Sequence, residues 1–338
     1  MMISEKVLQE LPKVELHLHL DCSLSFDVVK KLSPNVTENE YKERFIAPEK
    51  CIDLADFLKC TSSGIELMQT EEELQEVVKD LFAQLKRENV IYAEIRFAPL
   101  LHTENGLSSE EVVEIVADSV RNCISSMGIK AGIILCTLRH FSEAQSMKTV
   151  ILVEKYINST PVAGFDIASD EAGYPIDANI KAFEHAIKKD IPRTAHAGEA
   201  KGPESVWETL RHFQPTRIGH GVRSIEDRKL VEYLAKKRIH LEICPTSNVQ
   251  INVFGEYSDH PIDSLYKSGV SVGINTDARA LVNMTLTGEY AKITNEFGWN
   301  IDDFHKCNLN ALSCAFIGEG EKQELRNILN TGFEQFIN

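Results

Sequence analysis

The chain has 338 residues, of which 43% are hydrophobic and 26% are charged, and its formal net charge is −15. Its lysines and arginines are scattered, whereas a nucleic acid or an anionic membrane surface requires a concentrated basic face. We therefore expect a small-molecule partner, with no nucleic acid and no membrane. The eight cysteines form no CxxC pair, and the N-terminus lacks the apolar segment of a secretion signal, so the sequence predicts a cytoplasmic protein.

Short apolar segments rich in strand-forming residues alternate along the chain with longer segments of helical period. Eight of the short segments are predicted as strands: 14–20, 91–98, 131–138, 162–168, 193–197, 217–220, 239–244 and 271–276. A helix is predicted over 70–88, where Thr70 and Glu73 have the spacing of a capping box. Another is predicted over 109–126, which begins with Ser109 followed by two glutamates.

This alternation predicts an α/β fold with a parallel sheet, and eight repeats of it predict a (β/α)8 TIM-type barrel. The first connection, 21–90, is too long for one crossover helix, so extra helices are expected there, over the mouth of the barrel. The tail, 302–337, is predicted to form two or three closing helices. No linker and no shift in composition divides the chain, which predicts a single domain over 1–338.

The first predicted strand contains two histidines, His17 and His19, in an otherwise apolar run. Residues two apart in a strand point to the same side, so both rings can bind one metal ion. The alternative is that each is a hydrogen-bonded structural histidine of the core.

Three later strands also end in side chains that suit metal binding or proton transfer, at the barrel face where active sites lie. His196 is a candidate third ligand, and Glu199 is a candidate general acid whose pKa burial would raise. The alternative for Glu199 is a cap for a helix near Pro203. His220, between glycines, and Asp277, after the last strand, complete the set; their alternatives are a turn histidine and a helix N-cap.

Three histidines and a carboxylate, without a cysteine ligand, suit Zn²⁺ or a similar ion with one position left for water. Such an ion lowers the pKa of bound water to about 7 and makes hydroxide available at neutral pH. The residues alone therefore predict a metal-dependent hydrolase that acts on a polar small molecule.

Six motifs, in this order and at these separations, resemble the adenosine deaminase family of the amidohydrolase superfamily over about residues 11–300: "PKVELHLHLD", "YAEIRFAP", "FDIASDE", "HAGE", "RIGHG" and "NTD". The resemblance implies a barrel with one Zn²⁺ per chain, held by His17, His19, His196 and Asp277. It also implies that Glu199 donates a proton to purine N1, and that His220, beside Asp277, orients and deprotonates the attacking water.

The reaction implied by the resemblance is hydrolytic deamination of adenosine and 2′-deoxyadenosine to inosine, 2′-deoxyinosine and ammonia, as in purine salvage. By position, Asp21 matches the aspartate that binds the ribose 5′-hydroxyl, and the backbone N–H of Ser169 matches the group that meets purine N3. Phe57 and Leu58 match the walls of the pocket. The alternatives are a turn or helix-cap role for Asp21, and an ordinary core role for Phe57 and Leu58 on an amphipathic helix.

The chain departs from the family pattern at three positions. Ala278 replaces a second aspartate that reaches purine N7, Ser169 replaces a glycine, and Cys22 replaces the glycine after HxHxD. These changes leave open a related aminopurine deaminase that acts on adenine, a 5′-modified adenosine or 6-aminodeoxyfutalosine. A non-catalytic nucleoside-binding protein is a further alternative, and the sequence does not indicate an oligomeric state.

Overall fold

Eight parallel strands alternate with helices in the computed structural model, which describes residues 3–336. The strands are β1 (Lys13–His19), β2 (Val90–Phe97), β3 (Lys130–Leu138), β4 (Val162–Ala168), β5 (His196–Ala197), β6 (Arg217–His220), β7 (His240–Ile243) and β8 (Ser271–Ile274). All eight predicted strands are therefore present.

The strands form two parallel four-stranded sheets, β1–β4 and β5–β8, and backbone bridges join these sheets at both seams. At one seam Leu18 pairs with Asp277, and at the other Phe165 pairs with Arg193. These contacts give the eight strands the order of a barrel, which confirms the predicted fold class. β5 is shorter than the predicted 193–197: Arg193 pairs with Phe165 only as an isolated bridge, and the chain turns after Ala197 at Gly198, whose φ is 66°.

The helices are α1 (Glu5–Glu10), α2 (Phe26–Leu32), α3 (Glu38–Phe45), α4 (Leu54–Leu58), α5 (Ser62–Glu66), α6 (Glu71–Arg87), α7 (Ser109–Met127), α8 (Glu143–Tyr156), α9 (Ile180–Lys188), α10 (Pro203–His212), α11 (Arg228–Lys237), α12 (Pro245–Gln250), α13 (Ile262–Lys267), α14 (Leu286–Phe297), α15 (Ile301–Cys314) and α16 (Glu319–Glu334). Thr70 and Glu73 form the predicted capping box of α6. α7 begins at Ser109, as predicted, and its N-cap is Ser108, which forms a capping box with Glu111. Within residues 3–336, none of these helices is long and apolar enough to span a membrane.

The additional helices occur where the sequence predicts them. Five helices, α2 to α6, follow β1 in the first connection, and residues of α4 line the cavity at the carboxyl ends of the strands. The predicted tail contains two helices, α15 and α16, and α15 packs against β8 and β1. Residue 337 of the predicted tail lies outside the described part of the chain.

Charged side chains interrupt the apolar interior of the barrel. Arg96 on β2 contacts Asp166 and Glu242, each at 2.7 Å, and Arg217 on β6 contacts Glu242 at 2.7 Å and Glu94. All five side chains are fully buried. This cluster, which we call the barrel ion network, lies beneath the histidines described next.

Candidate active site

The structure brings together the four residues that the sequence predicts as metal ligands. His17 and His19 lie on β1, His196 lies on β5, and Asp277 follows β8. One potential ligand atom from each of the four lies within 4.8 Å of the others. The Nε2 atoms of His19 and His196 are 3.2 Å apart, and Asp277 Oδ1 lies 3.2 Å from His17 Nε2.

Two members of the barrel ion network orient these rings from below. His17 Nδ1 hydrogen-bonds Glu242 Oε2 at 3.0 Å, and His196 Nδ1 lies 3.0 Å from Asp166 Oδ2. A hydrogen on each Nδ1 leaves the Nε2 lone pairs to face the cluster, which is how metal-binding histidines are commonly held. His17 Nε2 is buried and makes no hydrogen bond among the described residues, as expected of an atom that awaits a cation.

The pKa shifts of the four candidate ligands also favour the binding of a cation. Burial lowers the pKa of His19 to about 3 and lowers the pKa of His196, so both rings are neutral donors. Burial acts to raise the pKa of Asp277, but its contact with His17 and the other neighbouring histidines hold it well below its usual range. Burial and Arg96 act to lower the pKa of His17, yet the neighbouring carboxylates of Asp277 and Glu242 raise it. Carboxylates that favour a proton at His17 favour a metal cation there for the same reason.

Asp277 is held in an unusual backbone conformation with one oxygen free. Its φ is 65°, a region that costs a non-glycine residue energy and that is concentrated at functional sites. Ser247 donates to Oδ2 at 2.7 Å, which leaves Oδ1 facing the histidines. Asp277 is not a helix N-cap, because the next helix, α14, is capped by Thr285.

His220 and Glu199 face each other beside this cluster. The His220 Nε2 and Glu199 Oε1 atoms are 3.5 Å apart, and the amide nitrogen of Asn248 lies 3.1 Å from His220 Nδ1. Burial, with the nearby charges of Asp277 and Glu171, raises the pKa of Glu199 well above its usual value. A carboxyl whose pKa is raised keeps its proton to higher pH than usual, as a general acid requires. Glu199 does not cap α10, whose N-cap is Gly202 without a side-chain bond.

Glu171 fixes the turn that contains Glu199, and the sequence analysis missed it. Its buried carboxylate accepts hydrogen bonds from four consecutive backbone N–H groups, those of residues 198–201, at 2.7 to 3.0 Å. The available signal was the acid at the end of "FDIASDE", which follows β4 at the same barrel face as the histidines.

A cavity of about 60 Å³ lies above the histidines. Its walls include the predicted pocket residues Phe57, Leu58 and Ser169, together with Leu54 and Ala278. Ligand pockets are typically ~300–1,000 Å³, so this cavity, which α4 covers, is smaller than a usual ligand pocket. Ser169 adopts a φ of 83°, which is the conformation that a glycine at this position would adopt without strain.

Asp21 lies beside this cavity rather than in its wall. It lines a second, smaller cavity, and Cys22 and Thr61 line both. Burial acts to raise the pKa of Asp21, but His102 and His19 hold it below its usual value, so Asp21 is a carboxylate. Cys22 therefore lies, with Thr61, at the border between the two cavities, and its Sγ is 3.6 Å from Asp21 Oδ1.

Ala278 stands where the family pattern has an aspartate, and the next residue does not take over that position. Arg279, the next residue, turns away and forms buried ion pairs with Glu15, at 2.6 Å, and Glu88. The neighbours of Ala278 form an apolar cluster that includes Leu54 and Phe57. This edge of the cavity is therefore apolar.

Comparison with known proteins gives the family. The family model described as Adenosine deaminase matches residues 12–331. The adenosine deaminase of Clostridium acetobutylicum is 32% identical over 332 residues, which cover 96% of this chain and 98% of the relative.

Solved structures share the fold at lower identity. An amidohydrolase from Burkholderia ambifaria with bound Zn has a TM-score of 0.90 and 21% identity, covering 99% of this chain and 94% of that chain. The adenine deaminase of Arthrobacter aurescens has a TM-score of 0.87 and 24% identity, covering 95% of this chain and 98% of that chain.

Fold and site together define a hydrolase barrel with a metal-binding centre. The family match covers nearly the whole chain, and the chain belongs to the adenosine deaminase family. The predicted resemblance and enzyme class are confirmed.

Proposed function

We propose that the chain deaminates adenosine and 2′-deoxyadenosine by hydrolysis, releasing ammonia and the corresponding inosine, in purine salvage. The observation that carries this proposal is the position of Glu199, a buried carboxyl with a raised pKa, next to four convergent side chains that could bind a metal. The eight cysteines are all unpaired thiols, which supports the cytoplasm as the site of the reaction.

The metal in this proposal is one Zn²⁺ per chain, held by His17, His19, His196 and Asp277. Neutral imidazoles and one carboxylate are donors that zinc prefers, and the similar barrel from Burkholderia ambifaria contains zinc. Bound zinc supplies a Lewis acid that activates water near neutral pH.

Side chains of the protein would carry out the proton transfers. His220, neutral because burial lowers its pKa well below the usual value, and Asp277 would accept the proton of the attacking water. Glu199 would donate its proton to purine N1, which makes the neighbouring C6 carbon electrophilic. The oxygen of the water would bond to C6, and the proton accepted by His220 and Asp277 would pass to the amino group. Ammonia would then leave as the C6–N bond breaks, while the remaining hydroxyl proton returns to Glu199 and N1 keeps its hydrogen.

The remaining residues would position the nucleoside. Asp21 would accept a hydrogen bond from the ribose 5′-hydroxyl, and its negative charge would repel a 5′-phosphate, favouring nucleosides over nucleotides. The backbone N–H of Ser169 would meet purine N3. Phe57 and Leu58 would cover the rings.

The test is turnover of adenosine by the purified chain before and after removal of its metal. We expect ammonia release and the ultraviolet change from adenosine to inosine, loss of both in the metal-free protein, and recovery with Zn²⁺. Less than about one tightly bound divalent ion per active chain would contradict the proposed one-metal site, and adenosine left unchanged by the metal-loaded protein would exclude the activity.

A second candidate is an aminopurine without a normal ribose, such as adenine. The observation in its favour is Cys22, which narrows the connection between the metal-binding residues and Asp21. A panel of adenosine, adenine, 5′-modified adenosines and 6-aminodeoxyfutalosine separates the two. Turnover of another member without turnover of adenosine would select the second candidate.

A further inference from the structure

The cavity above the histidines has two sides of different chemistry. One side consists of the metal-binding residues and of the groups that would transfer protons. The other side consists of Leu54 and Phe57 of α4 and of Ala278, which follows β8; all three are buried members of one apolar cluster. A purine in this cavity therefore meets polar groups along one edge and hydrocarbon along another.

The hydrogen-bond donors beside Ala278 are turned to partners within the protein. The N–H of Ala278 donates to the Thr276 carbonyl oxygen at 2.8 Å, and the N–H of Ala280 donates to that of Cys22 at 3.0 Å. The guanidinium of Arg279 is held in two ion pairs and does not line the cavity. A ligand atom placed against Ala278 therefore meets a methyl group, and these donors are not available to it.

The proposed function determines which edge of the purine faces Ala278, and this inference rests on it. Glu199, after β5, would protonate N1, while the N–H of Ser169, after the neighbouring β4, would meet N3. C6 would lie at the metal-binding residues. N7 is attached to C5, on the opposite side of C6 from N1, so it points away from β5. Ala278 lies in that direction, because it follows Asp277 at the end of β8, three strands further around the barrel.

Purine N7 is poorly matched to this wall. In water N7 accepts a hydrogen bond, and an acceptor that is buried without a donor loses that bond without replacement. In a 7-deazapurine a C–H group occupies the same position, so its burial against a methyl group costs no hydrogen bond. The 7-deaza ring keeps N1, N3 and the amino group, which are the parts that the reaction and the Ser169 N–H require.

We propose that nucleosides of 7-deazaadenine are substrates of this site, and that Ala278 is the residue that makes the site accept them. Water adds to the carbon that bears the amino group, Glu199 protonates N1, and ammonia leaves. One 7-deazaadenosine and one water thus give one 7-deazainosine and one ammonia. The reaction uses the same metal-binding residues and proton donor as the deamination of adenosine, and only the ring that is recognised differs.

The first measurement is the affinity of the metal-loaded wild-type chain for two products, inosine and 7-deazainosine. A comparison of products avoids the different reactivity of the two substrates. We expect 7-deazainosine to bind about 5- to 30-fold more tightly, within the range for relief of one unpaired buried acceptor. Equal affinities, or tighter binding of inosine, would show that N7 finds a donor and would overturn the inference.

Two substitutions at Ala278 separate hydrogen bonding from size. Ala278→Asn adds an amide donor beside N7, whereas Ala278→Leu adds a side chain of similar size without a donor. We expect Ala278→Asn to shift the ratio of the two affinities toward inosine by about 3- to 10-fold, the usual net contribution of one hydrogen bond. Ala278→Leu should leave the ratio close to that of wild type, even if both ligands bind more weakly. Equal shifts in the two variants would mean that Ala278 acts through size alone, contrary to the proposal.

Turnover then tests the substrate class. The metal-loaded wild-type chain should release ammonia from 7-deazaadenosine, with a KM below that for adenosine. Ammonia from adenosine but none from 7-deazaadenosine would remove this inference and leave the proposed function intact. No ammonia from either nucleoside would remove the proposed function as well.

Discussion

At the scale of the residue, the site depends most on the proton carried by Glu199. Glu199→Gln retains the size of the side chain but removes the acidic proton. We expect kcat to fall by ~10²- to 10⁴-fold, the usual contribution of general acid catalysis, with metal content and thermal unfolding nearly unchanged. His17→Ala is the contrasting control, because it removes a proposed metal ligand and should lower the metal content of the purified protein. Near-normal turnover by Glu199→Gln would exclude the proton-donor role.

The sequence could predict those residues that bind an ion or substrate directly, because they follow strands and interrupt apolar runs. His17, His196 and Asp277 are visible in this way. Glu242 is not, because it acts through another side chain, and that partner lies far away in the sequence. The hydrogen bond between His17 and Glu242, for example, spans 225 positions.

At the scale of the element, the turn after β5 decides where Glu199 points. Glu171 accepts hydrogen bonds from the N–H groups of residues 198–201. Glu171→Gln replaces one of the accepting oxygens by an NH2 group, which is itself a donor and cannot accept from these N–H groups. A small displacement of a catalytic group can cost on the order of 100-fold, so we expect kcat to fall by about 10- to 100-fold. Kinetics and thermal unfolding should be measured together.

Glu204→Gln is the matched control for this prediction. Glu204 accepts from the N–H of Gly202 at 3.2 Å, so it supports the start of α10 without contact to the turn at 198–201. We expect Glu204→Gln to retain most of the activity. If both variants lose activity to the same extent, the effect belongs to α10 in general and not to the position of Glu199.

The elements themselves were largely predictable, since periodicity and capping signals are local. β4 and β6 have the predicted bounds, and α6 begins after Thr70 as its capping box indicates. The sequence predicts extra helices over the mouth of the barrel, but it does not identify α4 as the helix that covers the cavity. The sequence does not show which faces those helices bury, because their partners belong to other segments.

At the scale of the whole molecule, the barrel ion network links strands that are distant in the chain to the metal site. Arg96 and Glu242 are 146 positions apart, yet their contact joins β2 to β7 beneath His17. Burial acts to raise the pKa of Glu242, but Arg96 and Arg217 hold it well below its usual value. A pKa depressed by folding contributes stability above the ordinary pKa of 4.5 and loses that contribution as the pH falls through the folded-state pKa.

Glu242→Gln should therefore weaken both the fold and the metal site. We expect about 3–5 kcal/mol less stability at neutral pH, because Arg96 and Arg217 lose a buried counter-charge. Metal affinity should fall by about 10- to 100-fold, because His17 loses the carboxylate that orients it. Urea unfolding measures the loss of stability, and metal titration measures the loss of affinity. The difference in stability between wild type and Glu242→Gln should shrink in acid.

Glu232→Gln is the control: Glu232 forms an exposed pair with Arg228, so this substitution removes the same charge and should cost at most about 1 kcal/mol. Equal losses in the two variants would mean that net charge, rather than the buried network, stabilises the barrel.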